Sequence, residues 1–146
     1  MSLQDWLNSG WLRQHTATRQ EIADLFAIVA RDIKDAGTPG MSADWRFGIA
    51  YNAALKLCTV LLHSAGYRPE KTLQHYRTIQ ALPLILGERW RNDAEYLDTC
   101  RRKRNVIEYD RAGDASDADA QELLAFVGDY RTAVIDWLKK TRPELL

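Results

Sequence analysis

The sequence predicts an all-α fold, an up-and-down helical bundle of four to five main helices preceded by an N-terminal arm at residues 1–17. Three observations carry this expectation. Apolar residues recur at intervals of three and four, which is the spacing of a buried helical face. Serine or threonine stands ahead of several such segments, and glycine or proline follows them. No stretch alternates apolar with polar residues, and no Asn-Gly hairpin signal occurs.

The first long helix starts at Thr18, which with Glu21 makes a T-x-x-E capping box. Ile22, Leu25, Phe26, Val29 and Ile33 then mark its buried face, and Gly37 and Pro39 stop it, glycine by tolerating a left-handed cap. Ser42 caps the second helix, with Asp44 near the positive end of the dipole. Phe47, Tyr51, Ala54, Leu55, Cys58, Leu61 and Leu62 make this helix apolar around much of its circumference. Such a helix sits centrally in a bundle or between two subunits. Gly66 closes it.

From Lys71 to Leu86 the helical spacing continues through Ile79, Leu82 and Leu86, but Pro83 must kink or divide the segment. A fourth helix runs from about Asn92 to Tyr109. Gly113 breaks the chain, Ser116 caps the last helix ahead of Asp119, and Ala120, Leu123, Leu124, Val127, Tyr130, Val134 and Leu138 form its buried face. Ahead of Thr18, Leu3, Trp6, Leu7, Trp11 and Leu12 suit a short arm packed on the bundle. We expect one domain across residues 1–146, without repeats or low-complexity tracts.

Composition narrows the function. Twenty basic residues balance twenty acidic ones, and 46% of the 146 residues are hydrophobic. That excludes disorder and a disulfide scaffold, and it argues against coating nucleic acid by bulk charge. Any nucleic-acid contact must come from a local patch. Cys58 and Cys100 fit neither a C-x-x-C metal spacing nor a disulfide framework, and read as small core hydrophobes. No secretory signal or membrane-spanning stretch is visible, so a cytoplasmic location with reduced thiols and no membrane partner is expected.

Most enzyme classes lack their residues here. His15, His63 and His75 fall in three segments with no H-x-x-x-H or E-x-x-H pair, so no metal is expected and each histidine reads as structural. Glycine-rich phosphate loops and a nucleophile elbow are also absent, and no cofactor is expected.

Cys100-Arg101-Arg102-Lys103-Arg104-Asn105-Val106-Ile107-Glu108-Tyr109-Asp110 is the segment that stands out. On a helix, Arg101, Arg104, Asn105 and Glu108 share one face. Arg101, Arg102, Lys103 and Arg104 concentrate positive charge on about one turn, and guanidinium groups suit bidentate contact with phosphate. Two readings stay open. A basic run late in a helix also complements the macrodipole as a solvated face, with Glu108 paired to Arg104 for about 0.3–0.5 kcal/mol.

The arrangement resembles the HEPN superfamily of small helical domains. That family's signature is an arginine, usually followed by Asn, Asp or His, and a histidine four to six residues further on. Arg104-Asn105 matches its start, and Tyr109 stands where the histidine would. Asp44-Trp45-Arg46-Phe47 leading into Ala50-Tyr51-Asn52-Ala53-Ala54-Leu55 is similar to the second helix of bacterial members. Gly66-Tyr67-Arg68 and the closing amphipathic helix fit as well, so the likeness spans roughly Thr18 to Leu138.

The resemblance implies a homodimer whose signature helices face each other across a cleft, binding RNA or a nucleotide. It implies a toxin–antitoxin or defence role and metal-independent endoribonuclease chemistry. In that chemistry Arg104 would steady the phosphate, Asn105 would orient it and Tyr109 would stand in for the base. Arg101, Arg102 and Lys103 would add phosphate contacts, and Tyr51, Asn52 and Glu108 would support the signature helix. A phenol titrating near ~10 is a poor base at neutral pH, and losing proton transfer removes a factor of ~10²–10⁴, so activity is expected to be weak or lost. The alternative is a non-catalytic dimeric module partnering a nucleotidyltransferase, an antitoxin or another protein.

Overall fold

Local caps set most of the helix starts, and burial of one face against a central helix arranges them. The computed structural model describes all of residues 1–146. In chain order the elements are α1 (Leu3–Asn8), β1 (Leu12–Gln14), α2 (Arg19–Ala36), α3 (Ala43–Ser64), β2 (Tyr67–Pro69), α4 (Gln74–Gln80), α5 (Leu82–Leu86), α6 (Arg91–Tyr109) and α7 (Asp117–Thr141). Single 3₁₀ turns at Glu88–Trp90 and Pro143–Leu145 complete them. The chain is mostly helical, as its periodicity requires.

The expected caps form at three helix starts. Thr18, Ser42 and Ser116 accept from the backbone N–H groups of Glu21, Trp45 and Asp119 at 3.1, 3.2 and 3.0 Å. Each cap satisfies a donor that the first helical turn leaves orphaned. Only Ser116 completes a reciprocal box here, with Asp119 accepting from the Ser116 N–H at 3.0 Å. Glu21 leaves its box unclosed, because its carboxylate is taken by two histidines.

α3 is the central helix. It packs against α2, α6 and α7 and also touches α4, α5 and β2. Ala50, Ala53, Leu57, Val60 and Leu62 are fully buried, so nearly the whole circumference is covered by other elements of the same chain. From α7, Leu123, Val127, Tyr130, Val134 and Leu138 enter the same core, whereas Leu124 is only half-buried. The Arg142 guanidinium donates to the Ser64 carbonyl at 2.6 Å and so caps the end of α3.

Several local expectations need correction. Gly37 does not take the left-handed cap: its φ is −90°, and α2 instead ends in tight bonds from the Gly37 and Thr38 N–H groups to the Lys34 and Asp35 carbonyls. The segment from Lys71 begins its helix only at Gln74, after Leu73 at φ +54°. It divides at Ala81, which places Pro83 in the first turn of α5, where its missing N–H costs nothing.

The N-terminal arm also contains a strand where none was expected. Leu12–Gln14 pairs antiparallel with Tyr67–Pro69, Arg13 standing opposite Arg68. Three-residue strands are too short to show alternation. Beyond the ladder, His15 N–H donates to the Gly66 carbonyl at 2.9 Å, with Gly66 at φ +101° supplying the turn out of α3. Trp6, Leu12, Leu62 and Ala81 form a satellite core beneath the arm.

Candidate functional site

Successive residues on α6 point about 100° apart, so its four basic side chains cannot share one surface. Arg101 donates to Asp98 at 2.8 Å, and its guanidinium lies 5.8 Å from the centre of the Tyr76 ring. Arg102 is the most exposed of the four, reaching Thr99 at 3.3 Å. Lys103 turns to α7 and pairs with Asp119 at 3.2 Å. Arg104 pairs with Glu108 at 3.0 Å and lies 5.8 Å from the centre of the Tyr51 ring. Arg101 and Arg104 therefore line the seam with α3 and α4, and each basic side chain has a carboxylate partner within the chain.

Tyr51 and Asn52, adjacent on α3, go to opposite sides. The Tyr51 ring is buried under Arg104, and its hydroxyl has no hydrogen-bond partner within the chain. Burial raises its phenol well above the usual value, so it stays protonated. Asn52 faces α2 instead, donating to the buried Asp32 at 2.6 Å. It helps hold α2 on α3 and does not support α6. Asn105 is half-buried, and Arg104 is taken up by Glu108 rather than by it. Tyr109, the last residue of α6, is 75% exposed.

Next to Tyr76 on α4, the fold also brings His75 to the wall of a polar cavity. Burial pushes His75 on α4 below the ordinary histidine value, and the positive charges of Arg104, Lys56 and Arg101 push it further. No local signal marks this arrangement, because the four groups come from three helices, α3, α4 and α6. That cavity, of about 290 Å³, is lined by Lys56, Thr59, His63, Arg68, Gln74 and His75, an almost wholly polar and basic wall.

On the other side of Arg104 a groove of about 510 Å³ runs between the start of α3 and the end of α6, lined in part by Trp45, Ile49, Ile107 and Glu108. Trp45 is 69% exposed there, whereas the other tryptophans are half-buried or buried. Asp44 ties the groove's rim to the α6–α7 loop, accepting from Gly113 and Ala115 at 2.6 and 3.2 Å. Cys58 and Cys100 lie inside the core, where burial pushes their thiols up to about 12 and about 11. Both stay protonated and unreactive.

A second constellation also escaped the sequence pattern. His15 and His63 converge on Glu21, with His15 Nε2 2.9 Å from both carboxylate oxygens and His63 Nδ1 2.6 Å from Oε1. Burial works to raise Glu21, but the bonds from His63 and His15 outweigh it and hold the carboxyl below its usual range. Burial is also the main cause lowering His63.

Comparison with protein-family models, with curated proteins and with solved structures finds no match. The structure shows a mostly helical protein in which Arg101 and Arg104 lie against Tyr76 and Tyr51 between α3, α4 and α6. No helix is long and apolar enough to cross a membrane.

Proposed function

We propose that this is a HEPN-like protein that binds RNA or a nucleotide, paired as a homodimer so that two copies of α6 border one basic cleft. Arg101 and Arg104 hold phosphate, with the Tyr76 and Tyr51 rings beside them, each 5.8 Å from its guanidinium. Metal-independent cleavage, weak or lost, would draw its proton acceptor from His75 rather than from the exposed Tyr109. A neutral imidazole suits that task better than a phenol. One observation carries this reading: Arg101 and Arg104 lie against Tyr76 of α4 and Tyr51 of α3, beside a polar cavity that Lys56 and His75 line together. Exposed Trp45 beside the α3–α6 groove supports a second copy as its cover. A defence or toxin–antitoxin setting rests on the resemblance alone.

One observation favours a second reading, a dimeric module that partners a nucleotidyltransferase or antitoxin protein without touching RNA. Every basic residue from Arg101 to Arg104 already has a carboxylate partner, which flattens the field over α6.

Incubation with single-stranded RNA in EDTA separates the two readings when wild type, Arg104→Ala and His75→Asn run in parallel. Binding or cleavage that falls in both variants supports the first reading. Weak, salt-insensitive binding shared by all three supports the second. Light scattering on wild type and Trp45→Glu reads the dimer.

A further inference from the structure

We propose that His15, Glu21 and His63 form a site for one divalent cation of the zinc class, with a fourth position for water or an anion. Three elements supply the donors: His15 follows β1, Glu21 is in the first turn of α2, and His63 is in the last turn of α3. Their ligand atoms all lie within 4.8 Å of one another. Zinc bonds of about 2.0–2.1 Å in tetrahedral geometry place ligand atoms about 3.3 Å apart. The two imidazole nitrogens already stand 2.9 and 2.6 Å from a Glu21 oxygen, so movements of well under an ångström reach that spacing.

Burial and donor chemistry agree with this assignment. The three side chains keep 18%, 28% and 19% of their surface, sheltered yet open to an entering ion. Two imidazoles and a carboxylate suit zinc; magnesium and calcium prefer all-oxygen shells. The scaffold is preorganised, since the Gly66 carbonyl holds the His15 backbone and Thr18 caps the Glu21 backbone. Glu21 also gives up the local capping-box bond that its position offers, and such a broken local rule marks a site with another task. Without an ion, each ring nitrogen facing the carboxylate must carry a proton. On binding, the nitrogen facing Glu21 gives up its proton, to the ring's other nitrogen when the ring is neutral or to solvent when it is doubly protonated, and leaves a lone pair for the metal.

The fourth ligand follows from the surroundings. His63 forms part of the wall of the polar cavity, which Arg68 and Lys56 also line. Those positive charges oppose a bare cation but favour an anion, such as hydroxide or inorganic phosphate, on its open side.

Metal-stripped full-length protein titrated with Co²⁺ tests the site. The expected result is one Co²⁺ per chain with the strong visible absorption of a four-coordinate ion, displaced by Zn²⁺. His15→Ala, His63→Ala and Glu21→Gln should each weaken binding at least about tenfold. Absence of stoichiometric Co²⁺ and Zn²⁺ binding overturns the proposal, as does His75→Asn weakening the ion as much as His15→Ala. Should the alanine variants lose their helical circular dichroism, the melting temperature of wild type decides: a rise with Zn²⁺ supports the site, and none at saturating Zn²⁺ refutes it.

Discussion

Glu108→Gln probes the proposed phosphate site from the side of its competitor. Glu108 sits one turn beyond Arg104 and holds its guanidinium at 3.0 Å, with the carboxylate 44% exposed. An exposed pair four residues apart on a helix contributes about 0.3–0.5 kcal/mol, so the substitution should barely move the melting temperature. Its effect on RNA should be larger. A phosphate bound at Arg104 lies near the Glu108 charge, and two unit charges about 4 Å apart in water repel by about 1 kcal/mol. Removing that repulsion should tighten binding about fivefold. Fluorescence anisotropy with a labelled single-stranded RNA reads the change directly. Arg104→Ala should weaken binding and reduce the magnitude of the salt slope by about 0.7 for one lost phosphate contact. An unchanged dissociation constant in both variants would remove Arg104 from the interface and refute the reasoning.

Leu123→Ala should cost about 2–5 kcal/mol in urea denaturation, because the side chain is fully buried between α7 and α3. Asp44→Ala removes a charged acceptor from the Gly113 and Ala115 amides; a loss of about 1.5 kcal/mol is expected, with faster hydrogen exchange at those two positions. His75 should titrate below the ordinary value of about 6.5 by NMR, and Arg104→Ala should raise it by removing one repelling charge. The linkage has one sign. A histidine lowered on folding contributes stability that is complete above about pH 6.5 and is lost as pH falls through the folded value. Wild type should therefore lose stability on mild acidification, and His75→Asn should lose less.

Much of the fold was legible in residues read three and four apart. Thr18, Ser42 and Ser116 mark helix starts because a cap is a contact within one turn. Ile22 and Val29, or Leu123 and Val127, mark buried faces because helical geometry repeats whatever the partner. Pro83 marks a divided segment because it cannot continue a helical ladder, but only packing sets the break at Ala81. The β1–β2 ladder was not legible, since its strands carry three residues each and lie more than fifty residues apart.

The candidate site divides along the same line. Arg101 and Arg104 share a helical face by periodicity alone, and the Arg104–Glu108 pair follows from a four-residue spacing. Whether Tyr51 or Asn52 would face α6 depended on how α3 is rotated within its neighbours, and packing placed Tyr51 there and turned Asn52 to Asp32. Glu21 shows the limit most plainly. Its position invites a local capping bond, yet two imidazoles, one of them forty-two residues away, claim its carboxylate. Short-range order is written in the chain because it costs little entropy to form. Contacts that close long loops, such as His15 with His63 or His75 with Arg104, exist only after burial of α3 has met the entropic cost of bringing distant segments together.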